Sequence, residues 1–309
     1  MQPLASHDGA MTPSDRGERA PAGHPESGAD GRPAPRGRSL LVRAAGMAAT
    51  AVLVLVAVAT AALGSTTGQR LDRRAMDALS SPQQTTHRLV EVLSLVSVWS
   101  VALVLAACVV LALVRRRMAA AAAAMVLVAG ANVTTQVLKY DVLTRPDIGF
   151  GDVNSLPSGH TTVAVSLALA GVLVAPAAWR SLVALLGSGG ATLIGAGTVV
   201  GRWHRPGDVV AGVAVCLLWA ALALAGLALL RRTRPSVAPD PAVGPDPALP
   251  HLTSLLGAGA VGLVIVSAGV RPTGQPHSLL LAAVSLAAIG VACAGSVGWL
   301  SRVAGPYVD

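Results

Sequence analysis

Three short polar clusters contain the residue types that could bind and attack an oxyanion. The first cluster holds Lys139 and Arg145, the second is the tetrapeptide Pro-Ser-Gly-His at positions 157–160, and the third occupies positions 204–208. Lysine and arginine supply positive charge, and the planar fork of arginine matches two phosphate oxygens. The clusters therefore predict a site for a phosphate or a similar anion.

The second and third clusters add the groups that phosphoryl transfer needs. Ser158 and Gly159 are expected to begin a helix, whose free backbone N–H groups and dipole attract anions. His160 and His204 offer a nucleophile and a proton donor. Asp208 lies four residues after His204, so on a helix it shares a face with that histidine and could hold the imidazole in one tautomer.

Each group has a simpler interpretation when it is considered alone. A lysine and an arginine at the ends of apolar runs can be membrane-surface anchors, and Pro-Ser-Gly can be only a turn before a helix. His160 can be an interfacial polar residue, and His204 with Asp208 can be a surface pair or half of a metal site. No further carboxylate or histidine cluster completes a coordination shell, so we expect neither a metal nor a cofactor. The occurrence of all three clusters together favours the oxyanion site.

The elements that must position these clusters are long apolar helices. Of the 309 residues, 53% are hydrophobic and only 12% are charged, which is about half the charged fraction of a soluble domain. Eight apolar runs approach the length of about 20 residues that a helix needs to cross a membrane. They are residues 44–65, 92–114, 118–138, 161–179, 181–201, 209–230, 252–270 and 278–300. The sequence therefore predicts an all-α, polytopic transmembrane helical bundle.

The same pattern predicts four segments. Residues 1–40, rich in Gly, Pro, Ser and mixed charge, predict a disordered cytoplasmic arm. A six-span membrane domain at 41–232 is followed by a Pro-rich linker at 233–250 and a C-terminal two-span hairpin and tail at 251–309. The cysteines lie inside apolar runs without CxxC spacing and predict no disulfide; they are Cys108, Cys216 and Cys293.

Arginines at the ends of the runs predict the orientation in a cell membrane. With a cytoplasmic N-terminus, four basic groups face the cytoplasm, as the positive-inside rule prefers. These groups are Arg36, Arg38 and Arg43; Arg115 to Arg117; Arg180; and Arg231, Arg232 and Arg234. The loops at 139–160 and 202–208 then face outward together. No basic stripe with interleaved aromatic residues is present, so the net charge of +8 predicts contacts with anionic lipids and not nucleic-acid binding.

The three clusters resemble the motifs of the type 2 phosphatidic acid phosphatase superfamily. Those motifs are Lys, six residues, Arg-Pro; then Pro-Ser-Gly-His; then Ser-Arg, five residues, His, three residues, Asp. The resemblance covers about residues 40–232, which makes the predicted membrane domain a six-span phosphatase-like core. The second motif matches at every position from 157 to 160, and the third matches at His204 and Asp208.

The resemblance implies a role for each residue, with no metal and no cofactor. His204 would attack phosphorus and form a phosphohistidine, Asp208 would orient His204, and His160 would protonate the leaving alkoxide. The phosphate oxygens would be held by cationic and N–H groups, namely those of Lys139, Arg145, Ser158 and Gly159.

The chain departs from the family pattern at two places. Five residues, and not six, separate Lys139 from Arg145, a difference that a loop can absorb. The Ser-Arg pair of the third motif falls on Gly197-Thr198, so its arginine is missing. Arg202 is our candidate for the compensating positive charge, and an interfacial anchor is its alternative role.

These observations support three functional hypotheses. The leading one is an integral membrane phosphatase that hydrolyses a lipid phosphate or diphosphate monoester at the extracytoplasmic face. Polyprenyl diphosphate, phosphatidic acid and phosphatidylglycerol phosphate all fit that description. The alternatives are a lipid phosphotransferase on the same scaffold and a membrane binding or scaffold protein that lost activity with the arginine. The sequence predicts no oligomeric state.

Overall fold

The computed structural model describes residues 36–79, 83–94, 98–149, 153–233, 248–267 and 276–308. These ranges contain ten α-helices and no β-strand, so the all-α prediction is confirmed. The helices are α1 (Arg36–Gly64), α2 (Thr66–Ala78), α3 (Gln83–Ser94), α4 (Val98–Val114), α5 (Met118–Val137), α6 (Gly159–Val174), α7 (Ala177–Val200), α8 (Pro206–Thr233), α9 (Leu249–Ser267) and α10 (Pro276–Val308). A π-helical segment of five residues, Leu138–Val142, continues α5.

The apolar helices make this a multi-pass membrane protein. Six of the described helices are long and apolar enough to cross a membrane, namely α1, α5 with its π-helical end, α7, α8, α9 and α10. Two more apolar helices are shorter, with cores at Trp99–Val114 and Gly159–Val174. The eight predicted runs therefore correspond to six full-length candidate spans and two short helices.

Several predicted boundaries were wrong, each for a local reason. The run at 161–179 is divided because α6 ends at Val174 and Pro176 precedes α7, since proline cannot continue a helix. The run at 92–114 begins inside α3, and its transmembrane part starts with α4. The first helix begins at Arg36, within the predicted arm, whose other residues, 1–35, lie outside the described ranges, as does most of the linker.

The segment predicted as an outer loop after the first span contains two helices, α2 and α3. Ser65 is the N-cap residue of helix α2, and its hydroxyl accepts a hydrogen bond from the Gly68 N–H at 3.2 Å. The buried residues of α2 are Gln69, Ala75, Met76 and Ala78. Helix α2 is amphipathic and too polar to count as a span, which explains why an analysis based on long apolar runs missed it.

Close helix packing places the ends of α5 and α8 at the same end of the bundle. Gly130 of α5 lies directly against the ring of Trp219 in α8, so a Cβ atom at position 130 would collide with that ring. The Trp219 Nε1–H donates to Thr134 Oγ1 at 2.9 Å. Small residues allow such close approach between membrane helices. As a result, the C-terminal end of α5 lies near the N-terminal end of α8, where the motif residues are.

Helices α9 and α10 pack directly against the rest of the bundle. Helix α9 lies along α7, and α10 contacts α6, α7 and α8. Ser188 of α7 donates to the backbone oxygen of Ser254 in α9 at 2.7 Å. The last two helices therefore cover α7, and α10 also contacts α2. A Cβ atom at Gly195 of α7 would meet both Ile289 of α10 and Val209 near the start of α8, so α10 reaches the helix ends that carry the motifs.

Candidate active site

The third motif lies in a tight turn between α7 and α8. The backbone oxygen of Thr198 accepts hydrogen bonds from the N–H groups of Trp203 at 3.0 Å and His204 at 3.2 Å. Arg202, within this turn, has a left-handed φ of 63°. Pro206 then begins α8, a position where its fixed φ suits the helix and its missing N–H costs nothing. The turn fixes the backbone of His204 just before the α8 terminus.

Asp208, in the first turn of α8, connects the first and third motifs. Its Oδ1 accepts from Arg145 Nη2 at 3.0 Å. Its Oδ2 accepts from Ser155 Oγ at 2.6 Å and from the Arg205 N–H at 2.8 Å. The same oxygen lies 3.5 Å from His204 Nδ1, which has no closer hydrogen-bond partner in the described ranges. That last distance is long for a hydrogen bond, and catalytic contacts of this kind often shorten when substrate binds.

Arg145 is placed behind Asp208 and does not line the cavity that the histidines line. Its side chain is fully buried, and its Nη1 lies 3.5 Å from the backbone oxygen of Ala62. Among the residues that the structure describes, none forms a hydrogen bond with its Nε. Arg145 was predicted to hold phosphate oxygens; in this structure its contact is the carboxylate of Asp208.

One cavity collects residues from all three motifs. It has a volume of about 580 Å³, within the range of about 300–1,000 Å³ typical of small-molecule sites. The motif residues that line it are Lys139, Gly159, His160 and His204. The remaining lining residues come from α4, α5 and α6 and the π-helical segment, namely Val101, Ala102, Asn132, Gln136, Tyr140 and Val163. The cavity is therefore cationic and polar at one end and apolar along its α4 side.

Two imidazole rings approach each other in this cavity. The ring centroids of His160 and His204 are 6.4 Å apart, and the planes meet at 64°. His160 also lies 5.4 Å from the ring of Trp203. The two histidines are thus close enough for both to act on one bound phosphoryl group.

The second motif begins α6 and is tied to α8. Ser158 is the N-cap residue, and its buried hydroxyl accepts from Thr161 Oγ1 at 3.0 Å. The Ser158 N–H donates to the Asp208 backbone oxygen at 2.8 Å. Gly159 lines the cavity, and a Cβ atom there would meet only Gln136 Nε2, at 3.7 Å. Ser158 thus holds the helix start in place, while Gly159 and His160 are the residues of this motif that line the cavity.

The position of the missing arginine is filled by a neutral, fully buried residue. Thr198 Oγ1 donates to the Gly195 backbone oxygen at 2.7 Å. Arg202 does not line the cavity: its side chain is 50% exposed and its guanidinium pairs with Asp77 of α2. A compensating role for Arg202 stays a prediction, and it would require this ion pair to open. Arg205 does not line the cavity either, but it is only 6% exposed, and its Nη1 has no hydrogen-bond partner within the described part of the chain.

Sequence analysis missed the residues that hold the motif loops in place. Asn154 Nδ2 donates to the backbone oxygens of Lys139, Leu143 and Leu156, at 3.1, 2.9 and 3.0 Å. Two of the cavity residues, Asn132 and Gln136, could have been predicted from the sequence. They are polar residues within a span, where such residues are often functional.

Asp72 of α2 also contacts the third-motif turn. Its Oδ1 accepts from the Gly207 N–H at 2.8 Å, and its buried Oδ2 has no hydrogen-bond partner among the described residues. Burial raises the pKa of Asp72 to about 6, and the neighbouring Asp208 charge adds to the rise. The Gly207 hydrogen bond and the charges of Arg145 and Arg205 oppose it. No sequence pattern links Asp72 to a turn 135 residues away.

These features define a membrane-embedded bundle of helices with a cationic, histidine-lined cavity at one end. The described ranges contain no group of three His, Cys, Asp or Glu side chains that could hold a metal ion. Residues 120–232, from α5 to the end of α8, match the family model of the PAP2 superfamily. The matched segment contains all three motif clusters, and members of the PAP2 superfamily are generally phosphatases. No curated protein and no solved structure matches the chain significantly.

Proposed function

We propose that the protein hydrolyses a lipid phosphate or diphosphate monoester through a phosphohistidine on His204. The observation that carries the proposal is the single cavity that brings together Lys139, Gly159, His160 and His204. These groups combine a cation, a helix N-terminus and two imidazoles, the set that binding and transfer of a phosphoryl group requires.

The reaction proceeds in two steps. His204 Nε2 attacks the terminal phosphorus, the bond from that phosphorus to the oxygen of the leaving group breaks, and His160 gives its proton to the departing oxygen. The leaving group is an alcohol when the substrate is a monophosphate and a lipid monophosphate when it is a diphosphate. A water molecule then attacks the phosphohistidine, His160 takes a proton from that water, and inorganic phosphate leaves as His204 is regenerated. Asp208 faces His204 Nδ1 at 3.5 Å and stabilises the positive charge that the imidazole carries in the intermediate.

Arg145 and Ser155 support this chemistry from behind. Both donate to the carboxylate of Asp208, at 3.0 and 2.6 Å, and so fix the oxygen that faces His204. A histidine held in one orientation by a fixed carboxylate needs less reorganisation during attack. Lys139 and the start of α6 then act on the phosphate oxygens from the cavity side.

The apolar side of the cavity supports an amphiphilic substrate. Val101, Ala102 and Val163 line that side, and Trp99, near the start of α4, is 82% exposed. An acyl or prenyl chain could lie along this wall while its phosphate contacts the histidines. The arginine distribution supports an extracytoplasmic position for the site.

Thr198 favours one alternative, a protein that binds lipid phosphates without turning them over. A neutral side chain replaces the cation of the third motif, and loss of one charge-stabilising donor typically costs about 10²–10³ in rate. A phosphotransferase on the same scaffold is the other alternative, in which an alcohol replaces the water of the second step.

Phosphate release by the purified protein tests the proposal. Phosphatidic acid, phosphatidylglycerol phosphate and a polyprenyl diphosphate should be offered in mixed micelles to wild type and His204→Ala. We expect release with at least one lipid, none with the variant, and an acid-labile phosphoprotein after a rapid quench of wild type only. A chelator should leave the rate unchanged. Equal release by the two proteins would refute the role of His204, and binding without release would favour the non-enzymatic alternative.

A further inference from the structure

Helix α2 contacts the loops of two motifs through polar side chains. It follows the first span in sequence and lies between α1 and the third-motif turn. Three contacts join α2 to the motif loops: Gln69 Nε2 donates to the Pro146 backbone oxygen at 3.1 Å, Asp72 accepts from the Gly207 N–H at 2.8 Å, and Asp77 pairs with Arg202. The second of these contacts is made to the residue immediately before Asp208.

A side chain at position 207 would crowd the contact between Asp72 and Gly207. A Cβ atom there would lie 3.0 Å from Asp72 Oδ2 and 3.2 Å from Oδ1. A carboxylate that receives a backbone N–H also makes a charge-assisted hydrogen bond, which is stronger than a neutral one. Gly207 therefore allows the carboxylate to approach the first turn of α8.

The first turn of α8 needs an acceptor from outside the helix. The first N–H groups of a helix have no partner within it, and a Ser, Thr, Asp or Asn just before the helix normally accepts from one of them. The residue just before α8 is Arg205, whose side chain has no acceptor, and Pro206 has no N–H. Asp72 supplies the acceptor for Gly207 instead, and its negative charge suits the positive end of the helix dipole.

The residues held in this way lie between the proposed nucleophile and its carboxylate. Gly207 is immediately before Asp208, and the Asp208 N–H donates to the Arg205 backbone oxygen at 3.0 Å while the Arg205 N–H donates back to Asp208 Oδ2 at 2.8 Å. The turn from His204 to Asp208 is thus closed by internal hydrogen bonds and anchored from α2 at Gly207.

We propose that Asp72 is a positioning residue, which caps α8 from α2 and so fixes the distance between His204 and Asp208. Its catalytic consequence rests on the function proposed above, whereas the cap itself does not. Loss of the cap releases the Gly207 N–H, lets the turn sample other conformations and lowers the fraction of molecules in which Asp208 faces His204.

Amide hydrogen exchange tests the cap without any need for turnover. In the protein held in lipid nanodiscs, Asp72→Ala should speed exchange in peptides covering residues 203–209 by about tenfold or more. Asp72→Asn keeps an acceptor oxygen at the same place and should stay close to wild type. Arg74→Ala, an exposed change on the same helix, is the matched control. Exchange in Asp72→Ala that equals the Arg74→Ala control would refute the cap.

Kinetics with the best lipid phosphate then test the positioning role. Asp72→Ala should lower kcat by tenfold or more with KM changed less than about threefold, and Asp72→Asn should restore most of kcat. A side chain that acted only through overall stability would leave kcat unchanged at a temperature where all variants are folded. Unchanged kcat in Asp72→Ala would refute the positioning role.

A second variant guards against a misfolded Asp72→Ala. Gly207→Ala keeps Asp72 but places a methyl group against its carboxylate, so it should raise exchange and lower kcat in the same way. Wild-type exchange and kcat in Gly207→Ala would also contradict the proposal. If wild type and His204→Ala both fail to release phosphate, the proposed function fails, and the exchange result still decides the cap.

Discussion

Arg145 and Asp208 form an ion pair in which Nη2 lies 3.0 Å from Oδ1 and both side chains are fully shielded from solvent. A buried ion pair need not stabilise a protein relative to apolar residues, but removing one partner leaves an unpaired buried charge. The pair therefore makes the site's geometry and the protein's stability depend on the same two residues.

Arg145→Ala should destabilise the protein by about 3–5 kcal/mol, because it leaves the Asp208 carboxylate buried without its cation. Thermal unfolding in detergent, followed by tryptophan fluorescence, measures the effect. Arg202→Ala is the matched control, since the pair of Arg202 with Asp77 is about half exposed, and such pairs contribute about 0–1 kcal/mol. Similar losses of Tm in the two variants would contradict the burial argument.

Stability should also depend on the ionisation of Asp72. Its pKa in the folded protein is about 6, above its ordinary value of 3.8, so the folded state binds a proton more tightly than the unfolded state. The stabilising contribution of this group is present at low pH and is lost as pH rises from about 4 through 6.

Asp72→Asn should remove this loss while keeping the acceptor for Gly207. We expect Asp72→Asn to be more stable than wild type, with a higher Tm. The difference in the free energy of unfolding should grow between pH 4 and pH 7.5 to roughly 1–3 kcal/mol. Subtracting the free energy of unfolding of wild type from that of Asp72→Asn at each pH cancels the contributions of the other titrating groups. An advantage that does not change with pH would contradict the raised pKa.

Much of this architecture could be predicted from the sequence because membrane helices have a strong signal. Apolar runs located eight helices, and the Pro-Ser-Gly-His sequence located the start of α6, since both depend on residues that are adjacent in the chain. Arg145 illustrates the limit of that approach. Its spacing from Lys139 indicated a phosphate ligand, but only the packing of α8 against α1 and α5 shows that Asp208 is its nearest charged partner.

The role of α2 could not be predicted for a related reason. Helix α2 carries several charges, so it gives no apolar signal. Its importance comes from the contact of Gln69 with Pro146, 77 residues away, and the contact of Asp72 with Gly207, 135 residues away. Pairwise contacts at such separations leave no periodic pattern in one sequence. Residues in the third-motif turn were visible as a cluster, but the acceptor that caps it was not.

The orientation of the protein in the membrane is a separate prediction. Single cysteines in place of Val153, in the loop before α6, and Arg116, between α4 and α5, lie at opposite ends of the bundle by the proposed topology. Val153 is 81% exposed. An impermeant thiol reagent added to intact cells should label the cysteine at position 153 and not the one at position 116. A background without the three natural cysteines serves as the blank, and labelling at position 116 alone would reverse the orientation.

The last prediction concerns the positive charge that replaces the arginine missing at Thr198. Arg202 is turned away, since its guanidinium pairs with Asp77 and is half exposed. Arg205 is buried beside Asp208, and one of its guanidinium nitrogens has no partner within the described part of the chain. An unpaired, buried guanidinium N–H raises the local positive potential in a place where solvent screens it little.

We therefore expect Arg205→Ala to lower kcat by about 10²-fold, the usual effect of losing one charge-stabilising donor, and Arg202→Ala to lower it less than about threefold, which is under roughly 1 kcal/mol. Arg205→Lys keeps the positive charge but removes the planar guanidinium. If the charge supports catalysis, kcat of Arg205→Lys should be higher than kcat of Arg205→Ala. Thr198→Arg should not recover it, because position 198 is fully buried and its hydroxyl is bonded to Gly195, so a longer side chain there must disrupt the end of α7. A larger loss in Arg202→Ala than in Arg205→Ala would reverse this assignment and return the compensating role to Arg202.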